Sequence, residues 1–317
     1  MTHDDRSLDP PPLVKQPLEG LALAAALLTV VLWASAFVGI RAAAEDLSPG
    51  PLALGRLLAG SLGLCLVVLL RHPAMPPRSA WLLIVACGVF WAAETTALNT
   101  AERFVDAGTA AMLVNLGPIL IAILGGMFLG EGFPARLFVG CFVAFAGAGI
   151  IGVATSSSPA ASPDATLGIA LCLVAAVLYA IGVTLQKPVT ASTPALTLTF
   201  FTCVIGAIAL APFAPGLIQE VGAAQPASIG WMVYLGLVPT ALGFTTWAYA
   251  LTHTTAGRLG SMSYLVPAVA VVLGWLILGE VPPALALVGG VLAIGGVLIA
   301  QWTPARRRRA LAPGDAS

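Results

Sequence analysis

Charge is what this sequence lacks. Only 9% of its 317 residues are Asp, Glu, Lys or Arg, while 59% are hydrophobic. Soluble domains carry about 25% charged residues, and a chain of this length cannot cover a water-facing surface with so few. Composition alone therefore excludes a soluble fold and points to an integral membrane protein. Histidine and cysteine are scarce too. His3, His72 and His253 are scattered, and Cys65, Cys87, Cys141, Cys172 and Cys203 lie in apolar runs without a C-x-x-C pair. No metal site, disulfide framework or cofactor is expected. A nucleotide-binding GxxxxGK(S/T) loop, a soluble domain and a polar catalytic cluster are all missing, so neither ATP hydrolysis within the chain nor enzyme chemistry is expected. The one basic cluster is the short RRRR tract at 306–309, which leaves nucleic acid out as a partner. The first twenty residues, MTHDDRSLDPPPLVKQPLEG, have no basic n-region or cleavage site and predict a short cytoplasmic tail over 1–19.

What is present is uncharged length. Runs at 21–40, 107–130, 137–163, 165–186, 188–219, 221–252, 259–279 and 281–305 contain no charged residue. Each can hold the roughly 20 apolar residues that cross a bilayer as a helix. Barrel strands would alternate in shorter segments, so the expected class is all-α. Breakers divide the chain into ten expected spans: 20–40, 51–70, 80–100, 107–130, 134–153, 166–186, 194–213, 229–251, 256–279 and 283–302. The tract TSSSPAASPDA at 155–165 marks a linker, and 303–317 a basic tail. With the N-terminus in the cytoplasm, eleven Lys and Arg fall on the inside and two, Arg41 and Arg103, on the outside. This bias predicts both termini in the cytoplasm of a bacterial inner-membrane protein. Trp81, Trp231 and Trp302 suit interfacial anchors.

FLGEGFPA at 128–135 returns as ILGEVPPA at 277–284. Aligning 107–150 with 256–299 at an offset of 149 gives 16 identities in 44 positions, among them Pro118/Pro267, Gly130/Gly279, Glu131/Glu280, Pro134/Pro283 and Gly140/Gly289. This is an internal repeat, with units at 20–154 and 166–302. Five spans per unit is an odd number, so the second unit enters the membrane from the opposite side. Inverted repeats of this kind build secondary transporters with a site near the midplane. The repeated Gly-Glu is expected to end a span where the carboxylate is hydrated, with the proline starting the next helix.

Several spans carry candidate site residues. Arg56 and Glu94 are ionisable groups inside spans, and such groups are costly and usually functional. At 1.5 Å per residue they lie about 8 and 9 Å from the same face. They can pair with each other or bind the two ends of a zwitterion, and Glu94 can also carry a proton. Pro118 and Pro267 break spans four and nine at matched places, freeing the Val114 and Ser263 carbonyls beside Asn115 and Tyr264. These prolines are the expected kink or gating points. Trp33, Tyr179 and Trp247 are the candidate aromatic lining. A row of small residues at Gly140, Ala144, Ala148 and Gly152 predicts close helix packing within the protein.

LWASAFVGIRAA, RLLAG, ALNTAERFVDAGTAAMLVNLGPILIAILGGMFLGE and AYALTHTTAGRLGSMSYLVPAVAVVLGWLILGE resemble the EamA-type drug/metabolite transporter superfamily over about residues 20–300. The resemblance implies a ten-helix inverted-repeat fold and movement of small metabolites by alternating access, often amino-acid export. A proton-coupled antiporter of drugs or organic cations is the alternative, with a proton as coupling ion. A non-transporting membrane partner subunit is a third. The expected partners are a small-molecule substrate and the lipid bilayer, for a monomer or a dimer.

Overall fold

The computed structural model describes residues 20–128, 135–158, 162–252 and 262–301. Both tails, residues 129–134 with Glu131 and Pro134, part of the 155–165 linker, His253, Arg258 and Trp302 lie outside the described residues. Among those described, all regular structure is helical. The chain runs α1 (Gly20–Ala43), α2 (Pro49–Arg71), α3 (Trp81–Ala101), α4 (Ala107–Val114), α5 (Gly117–Phe128), α6 (Ala135–Ser156), α7 (Ala165–Val189), α8 (Ala195–Ala209), α9 (Ala214–Ala223), α10 (Pro226–Leu235), α11 (Gly243–Thr252), α12 (Val266–Leu273) and α13 (Ala284–Gln301). Helices are what an apolar medium allows, because each satisfies its own backbone. Local signals end them. Asp106 caps α4 by accepting from the Thr109 N–H at 2.8 Å. Pro49 opens α2 in its first turn, where no N–H donor is needed.

Among the described residues, seven segments are long and apolar enough to cross a membrane. An eighth exists if α8 and 211–223, bent by 54°, count as one pass. The expected span over 194–213 corresponds to α8 and the turn of helix that follows it. The chain turns after Ala209, and Pro212 and Pro215 start the new direction because neither can donate to the preceding turn. The expected span over 229–251 is matched by the candidate span Pro226–Trp247, which contains a π-helical stretch at Gly236–Leu242 with Pro239. Such bulges insert a residue into the helix and re-aim the chain beyond it. Ser263–Leu278 and Ala284–Ile299 are shorter apolar helices.

The outer surface is apolar. Leu82 is 81% exposed, Phe142 78% and Leu70 73%, a distribution that belongs against lipid rather than water. Small residues face inward. The tightest pair is α6 with α13. A Cβ on Gly147 would stand 2.6 Å from the Gly289 carbonyl oxygen, and one on Gly296 would stand 2.6 Å from the Gly140 carbonyl oxygen. As the number rises along α6, its partner falls along α13, so the helices run antiparallel with backbones touching. Gly140 and Ala144 of the expected small-residue row lie in this contact. Elsewhere α1 packs against α10, α11 and α12, whereas α7 packs against α3, α4 and α5, and α2 lies on α8.

The α6–α13 contact is backbone on backbone, so it cannot yield to an added methyl. Gly147→Ala is expected to cost about 1–3 kcal/mol, read as a lower thermal unfolding temperature in detergent. Gly149→Ala, where a Cβ would meet nothing within 4 Å, should be neutral or slightly stabilising.

Candidate functional site

Small residues bring two charges to one interior. Gly88 of α3 lies against Ile205 and the Thr202 carbonyl of α8, Gly206 of α8 against Leu57 of α2, and Gly236 against the Arg56 carbonyl. These close approaches draw α2, α3 and α8 together with Arg56 and Glu94 between them. Each side chain stands in the electrostatic field of the other. Among the described residues, no ion pair or hydrogen bond joins these two. Arg56 Nε is buried with no partner, and Glu94 accepts from the Thr95 hydroxyl at 3.2 Å. Both side chains keep partial accessibility deep in the bundle. The two opposite charges thus act on each other across the bundle without a bond between them. Cys203, wholly buried, flanks Arg56.

One wall of this interior is Tyr179. Its ring lies directly over Gly117, where a Cβ would come within 2.7 Å of it, and it stands in the field of Glu94. Gly117 opens α5 just past the break at Asn115 and Leu116. The break falls where Pro118 cannot donate to the Val114 carbonyl, and no backbone N–H across it reaches that carbonyl among the described residues. Asn115 turns back to the Ala111 carbonyl at 3.3 Å. An aromatic cluster joins α1, α3 and α11. Trp33 contacts Trp247 and Phe244 with centroids 4.8 and 5.6 Å apart, and Trp91 meets Phe244 at 5.3 Å. The Trp33 indole packs on Gly243, directly after the π-helical stretch. Pro267 sits in the first turn of α12, behind the single turn Ser263–Leu265. Tyr264 is only 7% exposed and belongs to the apolar core, and Ser263 precedes it at the helix start. The structure thus groups Arg56, Glu94 and Tyr179, sets Trp33 with Trp247, and places Tyr264 in packed surroundings.

Sequence reasoning missed the polar rim at one end of the bundle. Gly279 ends its helix with φ +69°, and the Glu280 N–H returns to the Gly274 carbonyl. This turn sends the Glu280 carboxylate across to α1. It accepts from Arg41 Nε at 2.8 Å and Nη2 at 2.6 Å, and from the Ala107 N–H at 3.2 Å. The carboxylate expected to be hydrated is 20% exposed and is ion-paired as well. The remaining guanidinium nitrogen of Arg41 donates to the Glu102 carbonyl. Two further links lie at the same end. Asp46 accepts from the Gln225 N–H and the Ser228 hydroxyl, and Glu220 accepts from the Ser48 N–H and hydroxyl. The Ser228 and Gln225 bonds hold the Asp46 carboxyl below its usual range against a small opposing effect of burial. The repeated Gly-Glu and the lone arginine at the end of α1 were the available signals.

A cavity of about 430 Å³ opens between α1, α10 and α12, with Ser35, Trp231 and Tyr234 in its wall. Ser35 and Tyr234 share a hydrogen bond of 2.6 Å there. Another, of about 210 Å³, lies between α5 and α7 and includes Thr184 and Lys187.

The sequence profile of the EamA-like transporter family matches residues 20–153 and again 166–302. A protein of Streptantibioticus cattleyicolor named "Probable terminal-alkyne amino-acid exporter" is 36% identical over 92% of this chain and 98% of its own length. The "Uncharacterized transporter YdfC" of Bacillus subtilis is 34% identical over 85% of this chain and 87% of its own. A solved crystal structure superposes with a TM-score of 0.60 at 17% identity, covering 88% of this chain and 96% of that one.

The rim is testable by stability. Arg41→Ala and Glu280→Gln should each cost about 1–2 kcal/mol, the low end for charge-assisted bonds because both side chains are partly hydrated. The double variant should lose less than the sum, because both changes remove the same bridge. Thermal unfolding of the purified protein in detergent measures both.

Proposed function

The chain belongs to the EamA-like transporter family, and we propose that it exports amino acids or closely related zwitterions by alternating access. It is a multi-pass membrane protein whose relatives are named as transporters, not enzymes. In the proposed arrangement ten spans form two inverted five-helix repeats, at 20–154 and 166–302, in a bacterial inner membrane with both termini in the cytoplasm. Three observations support it. The family profile matches twice, at nearly those limits. The α6–α13 contact is reciprocal: Gly147 meets Gly289 as Gly296 meets Gly140, and an offset of 149 exchanges the two pairs. The first helix of each half packs into the later helices of the other.

The observation that carries the substrate class is Arg56 beside Glu94, oppositely charged, at similar depth and not joined. A zwitterion satisfies both: its carboxylate accepts from the Arg56 guanidinium and its ammonium donates to Glu94. Tyr179, with the aromatic group of Trp33 and Trp247, would flank the side chain, and Asn115 with the Val114 carbonyl offers polar contacts at the break. Ser263 and Tyr264 hold the matched place in the second half, and Pro118 and Pro267 are the proposed joints. The relative named as an amino-acid exporter agrees in substrate class and direction. Exchange of organic cations for protons fits less well, because Arg56 would repel a cation at Glu94.

Counterflow into proteoliposomes tests this. Amino acids should exchange, and the matching decarboxylated amines should not. Glu94→Gln and Arg56→Gln should each reduce exchange by about 10- to 100-fold, the value of one charge-assisted contact, with folding unchanged by size-exclusion profile. Full exchange in both variants would remove these residues from the site.

A further inference from the structure

One buried carboxylate has no part in that substrate site. Glu102, at the end of α3, is 0% exposed, and neither carboxylate oxygen has a hydrogen-bond partner among the described residues. A charge so placed has lost its water and gained no bond in return, a condition that proteins resolve by taking up a proton. The groups facing it are Arg41 from α1, Arg56 from α2, Cys172 from α7, Asp106 ahead of α4 and Glu280 ahead of α13. Burial pushes the Glu102 carboxyl well above the usual range; Arg41 and Arg56 pull against it, and Glu280 and Asp106 add to it. The nearest cation is engaged elsewhere. Arg41 gives two nitrogens to Glu280 and one to the backbone carbonyl of Glu102 itself. Arg41 therefore already touches the residue whose side chain it leaves unpaired.

We propose that Glu102 is a proton-binding site that latches this end of the protein: it holds a proton while Arg41 is joined to Glu280, and gives that proton to water when the halves part and Arg41 turns to the freed carboxylate. The O–H bond of the carboxyl breaks on opening and re-forms on closing, so one proton is exchanged with the adjacent solution. The latch rests on the alternating-access reading above, because it needs an open state of this end.

Linkage gives the sign of the effect. The closed state binds the proton more tightly, and the open, hydrated carboxyl returns toward its ordinary value near about 4.3. Between those limits raising the pH favours opening, by at most about tenfold in the open-to-closed ratio per pH unit for one proton. Below about 4.3 both states are protonated and the dependence disappears. Asp46, at the same end, does not supply this response, because its carboxyl is held below the ordinary range and stays ionised throughout.

Spin labels on Arg103→Cys and Ala223→Cys, exposed positions in the two halves at this end, would report opening in a chain whose five native cysteines are replaced by alanine. Two distance populations are expected, with the longer one growing from about pH 5 to pH 9. Glu102→Gln, which imitates the protonated form, should stay closed across that range. Glu102→Asp, which keeps a carboxyl, should shift the midpoint instead of removing it. Infrared spectra of the parent protein at neutral pH should show a protonated carboxyl band that Glu102→Gln removes. A parent protein that is flat with pH, or a Glu102→Gln variant that titrates like its parent, overturns the latch. So does closure that responds to sodium at fixed pH. Populations that respond to substrate but not to pH overturn the latch alone; a single population under every condition overturns alternating access with it.

Discussion

Every polar group in this bundle must be satisfied by the protein, because lipid offers no hydrogen bonds. That constraint makes the few charges informative. A soluble protein hydrates stray carboxylates at little cost, so their positions say little. Here each inward charge has a definite relation to another. Arg41 and Glu280 close on each other, and Arg56 and Glu94 face without closing. Glu102 has no partner on its carboxylate. These are three different states of the same problem: a closed pair at the rim, an unjoined pair in the interior and a buried titratable group.

Glycine sets where those charges fall. Two helix backbones touch at Gly147 and Gly289 and again at Gly296 and Gly140. Such contacts resist sliding, because a packed backbone has no rotamer with which to adjust. The α6–α13 pair is thus the stiff part of the fold. The breaks lie elsewhere: at Asn115 and Leu116 between α4 and α5, at the π-helical stretch with Pro239, and at the turn of helix before Pro267. Each break lies beside a residue of the candidate site. Tyr179 covers the first through Gly117, and Trp33 covers the second through Gly243. Movement at a break would therefore reach the aromatic walls directly, while the glycine contact held the halves in register.

Much of this was legible in the chain. Runs without charge gave the helical class, and the offset of 149 gave the duplication. Pro118 marked its break because proline removes a donor wherever it stands. Long-range partners were not legible. Nothing local to Glu280 says that Gly279 will turn it toward Arg41, 239 residues away in sequence. Hydration looked sufficient because a span end is normally wet. Glu102 carried no signal in the sequence, and only packing shows that it is covered. Near Pro212 and Pro215 the sequence marked the end of a span, but not that helix resumes beyond it at an angle of 54°.

Rim and interior meet at α1. It packs against α10, α11 and α12, carries Trp33 on the aromatic wall, and ends at Arg41 on the rim. A helix of 24 residues moves most easily as a rigid rod, so a tilt that parts Arg41 from Glu280 also shifts Trp33 against Trp247 and Phe244. Rim and cavity are then coupled by one element, without a chain of side chains to relay the signal.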